Sequence, residues 1–352
     1  MIIKYYKLIS FLLFIVLVVT SFLIYKNDIY SKNNIKSSYV DFKIAAGDSE
    51  RTVISNLYSD KLISSPFMMS IYMDLHNPLF VFDTGIYRIY KGENVPQMIS
   101  TFKKGSFYKQ LDIPSGLRIE EDAALIRNEL DVNNKDYKFS VSEYINIAQN
   151  DISLFENDYS FMKYIPSGSS LEGFLYPDTY DVPLNITSEQ MIKMQLSSFE
   201  KNVFEKYRNG LLNNSDGLSL YQTMIIASVV RRETLYDSDK PIVANIFIRR
   251  FTSGMALQSD ATVQYALGFN QSEGTWWTRN ITPSDLEITS PYNTRLYPGL
   301  PPTPICSPGS TSINATIHST PNSYWYFVAD SSGYLHYAST LAQQNANISE
   351  YL

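Results

Sequence analysis

Cysteine and histidine are scarce in this chain of 352 residues. The single cysteine, Cys306, cannot form a disulfide within the chain, and the three histidines, His76, His318 and His336, lack the spacing of metal ligands. These counts exclude a metal site built from His and Cys, although they leave a site made of oxygen ligands open. Zinc chemistry is therefore not expected.

An excess of positive charge is also missing. Lys and Arg number 29 against 35 Asp and Glu, which gives a formal net charge of -6. Proteins that bind a phosphate backbone present strongly basic surfaces. Nucleic acid is therefore not an expected partner.

Apolar and aromatic residues, in contrast, are abundant. Hydrophobic residues make up 44% of the chain, which contains 27 Tyr and 19 Phe. So many apolar side chains can build a substantial core, which excludes a globally disordered chain. At roughly 100–200 residues per domain, the length predicts two or three domains.

The longest apolar run lies near the N-terminus. Residues 8–25 carry no charge and are flanked by Lys7 and Lys26. As a helix they reach ~27 Å, nearly the thickness of the hydrocarbon core of a bilayer. A cleaved signal peptide is the alternative, but 18–21 (VVTS) is a poor cleavage site. We predict an uncleaved single-pass anchor.

The charges that flank this anchor give little indication of which of its ends faces the cytoplasm. Lys4 and Lys7 precede it, and Lys26, Lys32 and Lys36 follow it, so the positive-inside count is nearly balanced. A short tail before the anchor and a domain-sized remainder after it favour a cytoplasmic-membrane protein. Its bulk is then expected on the outer, periplasmic side.

The pattern of the chain predicts an α+β protein in four parts. Residues 1–26 form the tail and anchor, 27–38 a polar tether, 39–110 a small α+β subdomain and 111–352 a larger mixed α/β domain. Within the subdomain, the periodicity predicts the order strand, helix, helix, strand, helix, the first strand being 40–44.

The larger domain combines helices with an irregular loop. Apolar residues at helical intervals predict helices over about 118–130, 142–149 and 188–208. Six prolines and two glycines between 290 and 309 forbid regular structure there. Such rigid loops often line a cleft.

One carboxylate falls on an apolar helix face. In segment 219–234, Ile226, Val229, Val230 and Glu233 lie within one arc at 100° per residue. Burial on that face is expected to raise the pKa of Glu233, so that it still holds a proton near neutral pH and can act as a general acid. A structural ion pair between Glu233 and a distant arginine is the alternative.

The arginines next to this carboxylate, Arg231 and Arg232, project to the flanks of the helix. There they can extend to water or reach another anion. Trp276 and Trp277 are candidates for stacking on sugar rings, although packing is the commoner use of tryptophan.

Six sequence blocks follow each other between residues 172 and 330, and those at 172–180, 254–263 and 290–302 include stretches dense in turn formers and polar residues. They are 172–180 (EGFLYPDTY), 227–234 (ASVVRRET), 254–263 (GMALQSDATV), 290–294 (SPYNT), 297–302 (YPGLPP) and 326–330 (YFVAD).

In this order the blocks resemble the membrane-anchored endolytic murein transglycosylases, the YceG-like family. Residues 39–105 resemble the LysM-like subdomain of that family, and 113–120 the segment that follows it. The chain departs from the family pattern at Arg231, where many members have an acidic residue, and at Ala261, where proline is usual.

The resemblance implies a lytic transglycosylase that uses no cofactor. Glu233 occupies the position of the catalytic glutamate of the family. It would protonate the oxygen between N-acetylmuramic acid and N-acetylglucosamine, and then take the proton of the muramic C6 hydroxyl as a 1,6-anhydro ring closes. The implied partners are nascent glycan strands, the cytoplasmic membrane and the penicillin-binding proteins, with termination of glycan elongation as the outcome.

Gln258, Asp260, Tyr292 and Asn293 are our candidates for holding the sugar, since a substrate rich in hydroxyls and amides needs directional partners. Tying loops together is the equal alternative for each of them. Asp260 also leaves a two-carboxylate hydrolase open.

Two other classes of protein remain open at this stage. A non-catalytic wall-binding or scaffold protein would share the same fold. A serine acyl-enzyme is suggested by the S-x-x-K patterns at 100–103 and 106–109, but neither a K-T-G nor an S-D-N motif accompanies them.

Overall fold

The chain forms two units in the computed structural model, residues 1–109 and 110–352. The structure describes residues 2–31, 38–130 and 137–352.

The first unit begins with the long helix α1 (Ile2–Tyr30). Its segment Tyr5–Tyr30 is long and apolar enough to cross a membrane. The helix extends beyond the predicted start of the tether at residue 27, because Ile29 is buried in the core of the first unit. Residues 32–37 of the predicted tether lie outside the described residues.

The order strand, helix, helix, strand, helix is confirmed in the rest of the first unit. Strand β1 pairs antiparallel with β2, with Tyr39 opposite Tyr90. Phe42 and Ile44 alternate inward from β1 onto the core. The elements are β1 (Tyr39–Ile44), α2 (Glu50–Ser59), α3 (Pro66–His76), β2 (Gly85–Tyr90) and α4 (Val95–Lys103).

The second unit begins with β3 and four helices. Strand β3 forms a two-stranded ladder with β4. A π-helical segment, Glu200–Glu205, lies between α7 and α8. The elements are β3 (Tyr108–Asp112), α5 (Ile119–Glu129), α6 (Val141–Asn150), β4 (Thr179–Pro183), α7 (Ser188–Phe199) and α8 (Lys206–Leu212).

The π-helical segment corrects the prediction of one continuous helix over 188–208. Phe199 and Phe204 are five residues apart, a spacing that a π turn brings to one side of the helix. Both rings pack on Phe161, at centroid distances of 4.6 and 6.2 Å. Burial of both rings explains the local widening.

The remainder of the second unit carries the last five of the six sequence blocks on helices, strands and loops. Helix α9 packs against α10 and α12, and β5 pairs antiparallel with β6. The loop 290–309 contains neither a helix nor a strand, as predicted. The elements are α9 (Leu220–Glu233), α10 (Lys240–Thr252), α11 (Asp260–Leu267), α12 (Ser310–Ile317), β5 (Tyr326–Ala329), β6 (Leu335–Ala338) and α13 (Leu341–Tyr351).

The fold is thus of the mixed α+β kind that the sequence predicts. Within the described residues, the ladders β1–β2, β3–β4 and β5–β6 each contain two strands. The larger unit is therefore more helical than a mixed α/β domain, because helices and irregular loops supply most of its core.

Candidate active site

Glu233 is the last residue of α9. The helix starts at Ser219, whose side chain forms a capping box with Gln222. Ile226, Val229 and Val230 of the predicted stripe are fully buried, but so is nearly all of α9 from Leu220 to Val230, because other elements cover the helix on every side. Helix α9 ends at Thr234, which is extended, and the Glu233 side chain there is only partly buried. The helix thus presents a carboxylate at the edge of the core.

Two hydrogen-bond donors at the start of α11 meet this carboxylate. Ser259 Oγ donates to Glu233 Oε1, and the backbone N–H of Ala261 donates to the same carboxylate. Ser259 is itself buried, and its N–H donates to Thr294 Oγ1 at 3.3 Å. The N-terminus of α11 adds a positive partial charge on the same side.

Some neighbours of Glu233 raise its pKa, and others lower it. Burial raises the pKa of Glu233 above its ordinary range, and the nearby Asp260 carboxylate raises it further. The Ser259 hydroxyl, the Ala261 N–H and the Arg295 charge oppose that rise in pKa. Such a carboxyl group can hold a proton and still be stabilised once it has lost it.

Asp260 lies at the first position of α11, on the exposed side of the site. Arg295 donates from Nε to Asp260 Oδ1 at 2.5 Å. The pair places one negative and one positive side chain beside Glu233. Both charges are accessible from solvent.

Gln258 lies just before Ser259 in an unusual backbone conformation. Its φ is 54°, in the left-handed region that residues other than glycine seldom adopt. Its N–H donates to the Thr294 carbonyl at 3.0 Å, and its side chain is exposed. Strain of this kind concentrates at functional sites.

Tyr292 and Asn293 lie on the loop that Ser259 contacts. The Tyr292 hydroxyl is 2.9 Å from Thr303 Oγ1. Asn293 is fully buried, and its amide donates to the carbonyls of Leu286 and Ile288 at 2.9 and 3.0 Å. The amide of Asn293 thus ties the loop together, the alternative that the sequence left open.

The flanking arginines contact protein groups in the second unit. Arg231 donates from Nε to Ser115 Oγ at 2.8 Å and from Nη2 to the Ser115 carbonyl at 2.9 Å. The Arg232 guanidinium lies 3.7 Å from the ring centroid of Trp277, whose Nε1 donates to Glu121 at 2.8 Å. Trp277 is therefore packed in the interior, where its ring is not open to a sugar.

Sequence reasoning missed two other buried carboxyl groups, Glu172 and Asp122. The pKa of each is raised to about 8, mainly by burial, and the charges of Glu120 near Glu172 and of Glu121 near Asp122 contribute to this rise. For Asp122 a signal existed, since it shares an arc of α5 with the buried Ile119. Glu172 lies in the irregular block 172–180, where no periodicity marks a buried position.

These carboxyl groups are held inside the core. Tyr265 and the N–H of Ile119 donate to Glu172 Oε2 at 3.2 and 3.4 Å. Gln195 donates to Asp122 at 3.2 Å. Among the described residues, Glu172 Oε1 and Asp122 Oδ1 have no hydrogen-bond partner. Within the same part of the chain, no group of three His, Cys, Asp or Glu side chains is placed to hold a metal.

Comparison with known proteins relates most of the chain to one family. The model of the YceG-like family matches residues 42–350. An endolytic murein transglycosylase of Bacillus subtilis is 28% identical over 89% of this chain and 85% of its own length. One from Streptococcus pneumoniae is 25% identical over 89% of this chain and 58% of its own length.

A solved structure is also similar. A YceG-like protein of Listeria monocytogenes matches with a TM-score of 0.59 and 25% sequence identity. The match covers 88% of this chain and 99% of that structure. The similarity therefore extends over both units.

Proposed function

Because this chain belongs to the YceG-like family, we propose that it is a lytic transglycosylase acting on peptidoglycan. The names of the related proteins from Bacillus and Streptococcus support this activity. The resemblance seen in the sequence blocks points to the same reaction.

The position of Glu233 carries the proposal. Among the described residues of the second unit, Glu233 alone combines a raised pKa with a position at the surface edge of a buried helix. Two hydrogen-bond donors, Ser259 Oγ and the Ala261 N–H, meet its carboxyl group. A general acid needs a proton to give and access to the leaving oxygen. Glu172 and Asp122 have the proton but are enclosed.

In the first step, protonated Glu233 gives its proton to the glycosidic oxygen. The bond from C1 of the muramic sugar to that oxygen breaks, and C1 gains oxocarbenium character. Glu233 leaves this step as a carboxylate. The Ser259 hydroxyl and the Ala261 N–H stabilise the new charge.

In the second step, the Glu233 carboxylate takes the proton of the muramic C6 hydroxyl. The C6 oxygen attacks C1, and the 1,6-anhydro ring closes. No water is consumed, and Glu233 regains its proton. One carboxyl group therefore suffices, whereas ordinary glycoside hydrolysis uses two.

The sugar-binding roles divide according to exposure. Gln258 and Asp260 offer exposed polar groups beside Glu233 and are proposed to contact the sugar directly. Tyr292 presents a partly buried ring at the same loop. Asn293 is proposed to act by holding that loop in shape.

The first unit and α1 are proposed to hold the enzyme at the cell membrane. We propose that residues 39–110 form a LysM-like subdomain, and that α1 anchors the chain in the cytoplasmic membrane with the second unit outside. Nascent glycan strands would then be the substrate, beside penicillin-binding proteins. Cleavage there would terminate glycan elongation.

The test is digestion of purified peptidoglycan by the full chain in detergent. We expect the native protein to release anhydro-ended fragments and Glu233→Gln to release them at least about 100-fold more slowly. Glu205→Gln, at an exposed position in the π-helical segment, is the matched control and should digest normally. An inactive native protein that still binds the wall would instead indicate a scaffold.

A hydrolase is the second candidate, because Asp260 lies close enough to Glu233 to influence its pKa. Asp260 is held by Arg295, which stabilises a carboxylate that could activate water. Reducing ends among the products, lost in Asp260→Asn, would favour this candidate.

A further inference from the structure

Helix α3 of the first unit turns an apolar face outward. Phe67 and Leu75 are exposed by 69% and 68%, and Ile71 between them is partly exposed. They lie at i, i+4 and i+8, which is one side of a helix. Asp74 at the flank is the only Asp, Glu, Lys or Arg in α3. An ordinary helix facing water carries more charge on its outer side.

The loop after α3 carries two further exposed apolar side chains. Leu79 and Val81 are exposed by 94% and 74%. Their neighbours Phe80 and Phe82 point inward and stack edge to face at 5.1 Å. Phe80 and Phe82 thus hold the loop against the core of the first unit, while the side chains of Leu79 and Val81 remain exposed to solvent.

The end of α1 lies directly beside α3. A groove of about 730 Å³ runs between the two helices, lined by Phe22 and Tyr25 of α1 and by Phe67, Ile71 and Leu75 of α3. Ile29 of α1 is buried in the core of the first unit. The last turns of α1 are therefore part of the first unit rather than a free linker.

The length of α1 sets the depth of this groove in a membrane. Tyrosines favour the two interfaces of a bilayer, and 19 residue steps separate Tyr6 from Tyr25. At 1.5 Å per residue that separation is about 28 Å, close to the ~30 Å of the hydrocarbon core. Phe22 and Tyr25 then reach the end of the hydrocarbon, and α3 beside them lies at the headgroup level.

The charge of the first unit suits an anionic surface. Residues 26–109, which follow the apolar run of the anchor, contain 11 Lys and Arg against 8 Asp and Glu, whereas 110–352 contain 16 against 27. Basic segments next to a membrane are attracted to anionic lipids. The excess of positive charge is therefore confined to the unit that carries α1.

We infer that the apolar face of α3 and the loop residues Leu79 and Val81 insert into the lipid bilayer next to α1. This inference rests on the proposed role of α1 as a membrane anchor. The first unit would then be seated on the membrane surface by a second contact, and could not swing freely at the end of α1.

The test places a fluorescent label at single cysteines in the full chain reconstituted in vesicles of phosphatidylethanolamine and phosphatidylglycerol. The native Cys306 is buried and should not react. Labels at Phe67→Cys and Leu75→Cys measure whether the apolar face of α3 is in lipid. A label at Leu13→Cys is the control for a position inside the membrane, and one at Lys43→Cys on β1 is the control for a position in water. Quenchers are a spin-labelled lipid and aqueous iodide.

We expect the lipid quencher to reduce emission at Phe67→Cys and Leu75→Cys by at least half as much as at Leu13→Cys, with little effect at Lys43→Cys. If both face labels behave like Lys43→Cys while Leu13→Cys is quenched, the inference is overturned and the anchor stands. If neither quencher reaches the face labels, a protein surface covers them, which also overturns it. If Leu13→Cys is not quenched, the anchor itself fails.

Discussion

Two regions of the second unit hold carboxyl groups with a raised pKa, and they differ in what surrounds the oxygens. At the end of α9, Glu233 is partly exposed and receives donors from Ser259 and Ala261. Around α5, Glu172 and Asp122 are enclosed, each with one oxygen that has no partner among the described residues. Burial raises the pKa in both regions. Access and prepared donors are what make Glu233 the candidate for chemistry.

The largest effect that separates the two regions is the loss of activity. Glu233→Gln should lower the rate of peptidoglycan cleavage by about 10²–10⁴-fold, the typical contribution of a general acid. Glu172→Gln keeps the shape of a protonated acid and should cost less than about tenfold. Rates of fragment release measure both. Equal losses would remove the distinction between the regions.

Substitution at Gly173 should mainly affect stability. Its φ is +86°, and a Cβ there would lie 2.5 Å from Cβ of Pro304. Gly173→Ala therefore combines backbone strain with a clash in the loop that packs next to Glu172, and should cost about 1–3 kcal/mol or more. Thermal unfolding measures this. Gly168→Ala, with a left-handed φ and open space, is the control for strain without the clash.

A matched pair of variants should move the pH profile in opposite directions. The Ser259 hydroxyl lowers the pKa of Glu233 and the Asp260 charge raises it. Ser259→Ala should thus shift the alkaline limb of kcat/KM to higher pH, and Asp260→Asn should shift it to lower pH. Ser259→Ala should also slow the reaction by about tenfold, since one hydrogen bond to a charged group is lost. Shifts of the same sign would contradict this account of the site.

The smallest effect concerns stability against pH. The pKa of Asp122 and of Glu172 is about 8 in the folded chain, above their ordinary values of about 4 when unfolded. The folded chain then binds more protons than the unfolded chain between these values, so the free energy of unfolding falls as pH rises from about 5 to about 8.

Asp122→Asn mimics the protonated acid and should flatten this decline, so that Tm falls less between pH 5 and pH 8 than in the native chain. Thermal unfolding at several pH values measures the slope. An unchanged slope in Asp122→Asn would mean that Asp122 does not titrate in this range.

The contrast between Glu233 and the enclosed carboxyl groups also shows which part of the site can be predicted from the sequence. Helical periodicity found the stripe that ends in Glu233, and it also marks Asp122, which shares an arc with Ile119. It could not distinguish the two, because a projection along one helix does not show what another element brings to the carboxylate. The donors at Ser259 and Ala261 come from α11, at a distant position in the chain.

Irregular segments were beyond this kind of prediction for a different reason. The π turn at Glu200–Glu205 exists because Phe199 and Phe204 share one ring partner, which is a tertiary contact. The structural role of Asn293 likewise depends on carbonyls that the loop happens to turn inward. Local pattern predicts neither.

The central claim is that Glu233 serves both proton transfers without water. Digestion of purified peptidoglycan by the full chain in water carrying a heavy oxygen isotope tests it, with products weighed by mass spectrometry. The account predicts fragments lighter by one water than hydrolytic ones and free of the heavy isotope. Fragments that carry it at a new reducing end would contradict the claim and favour a hydrolase in which Asp260 activates water.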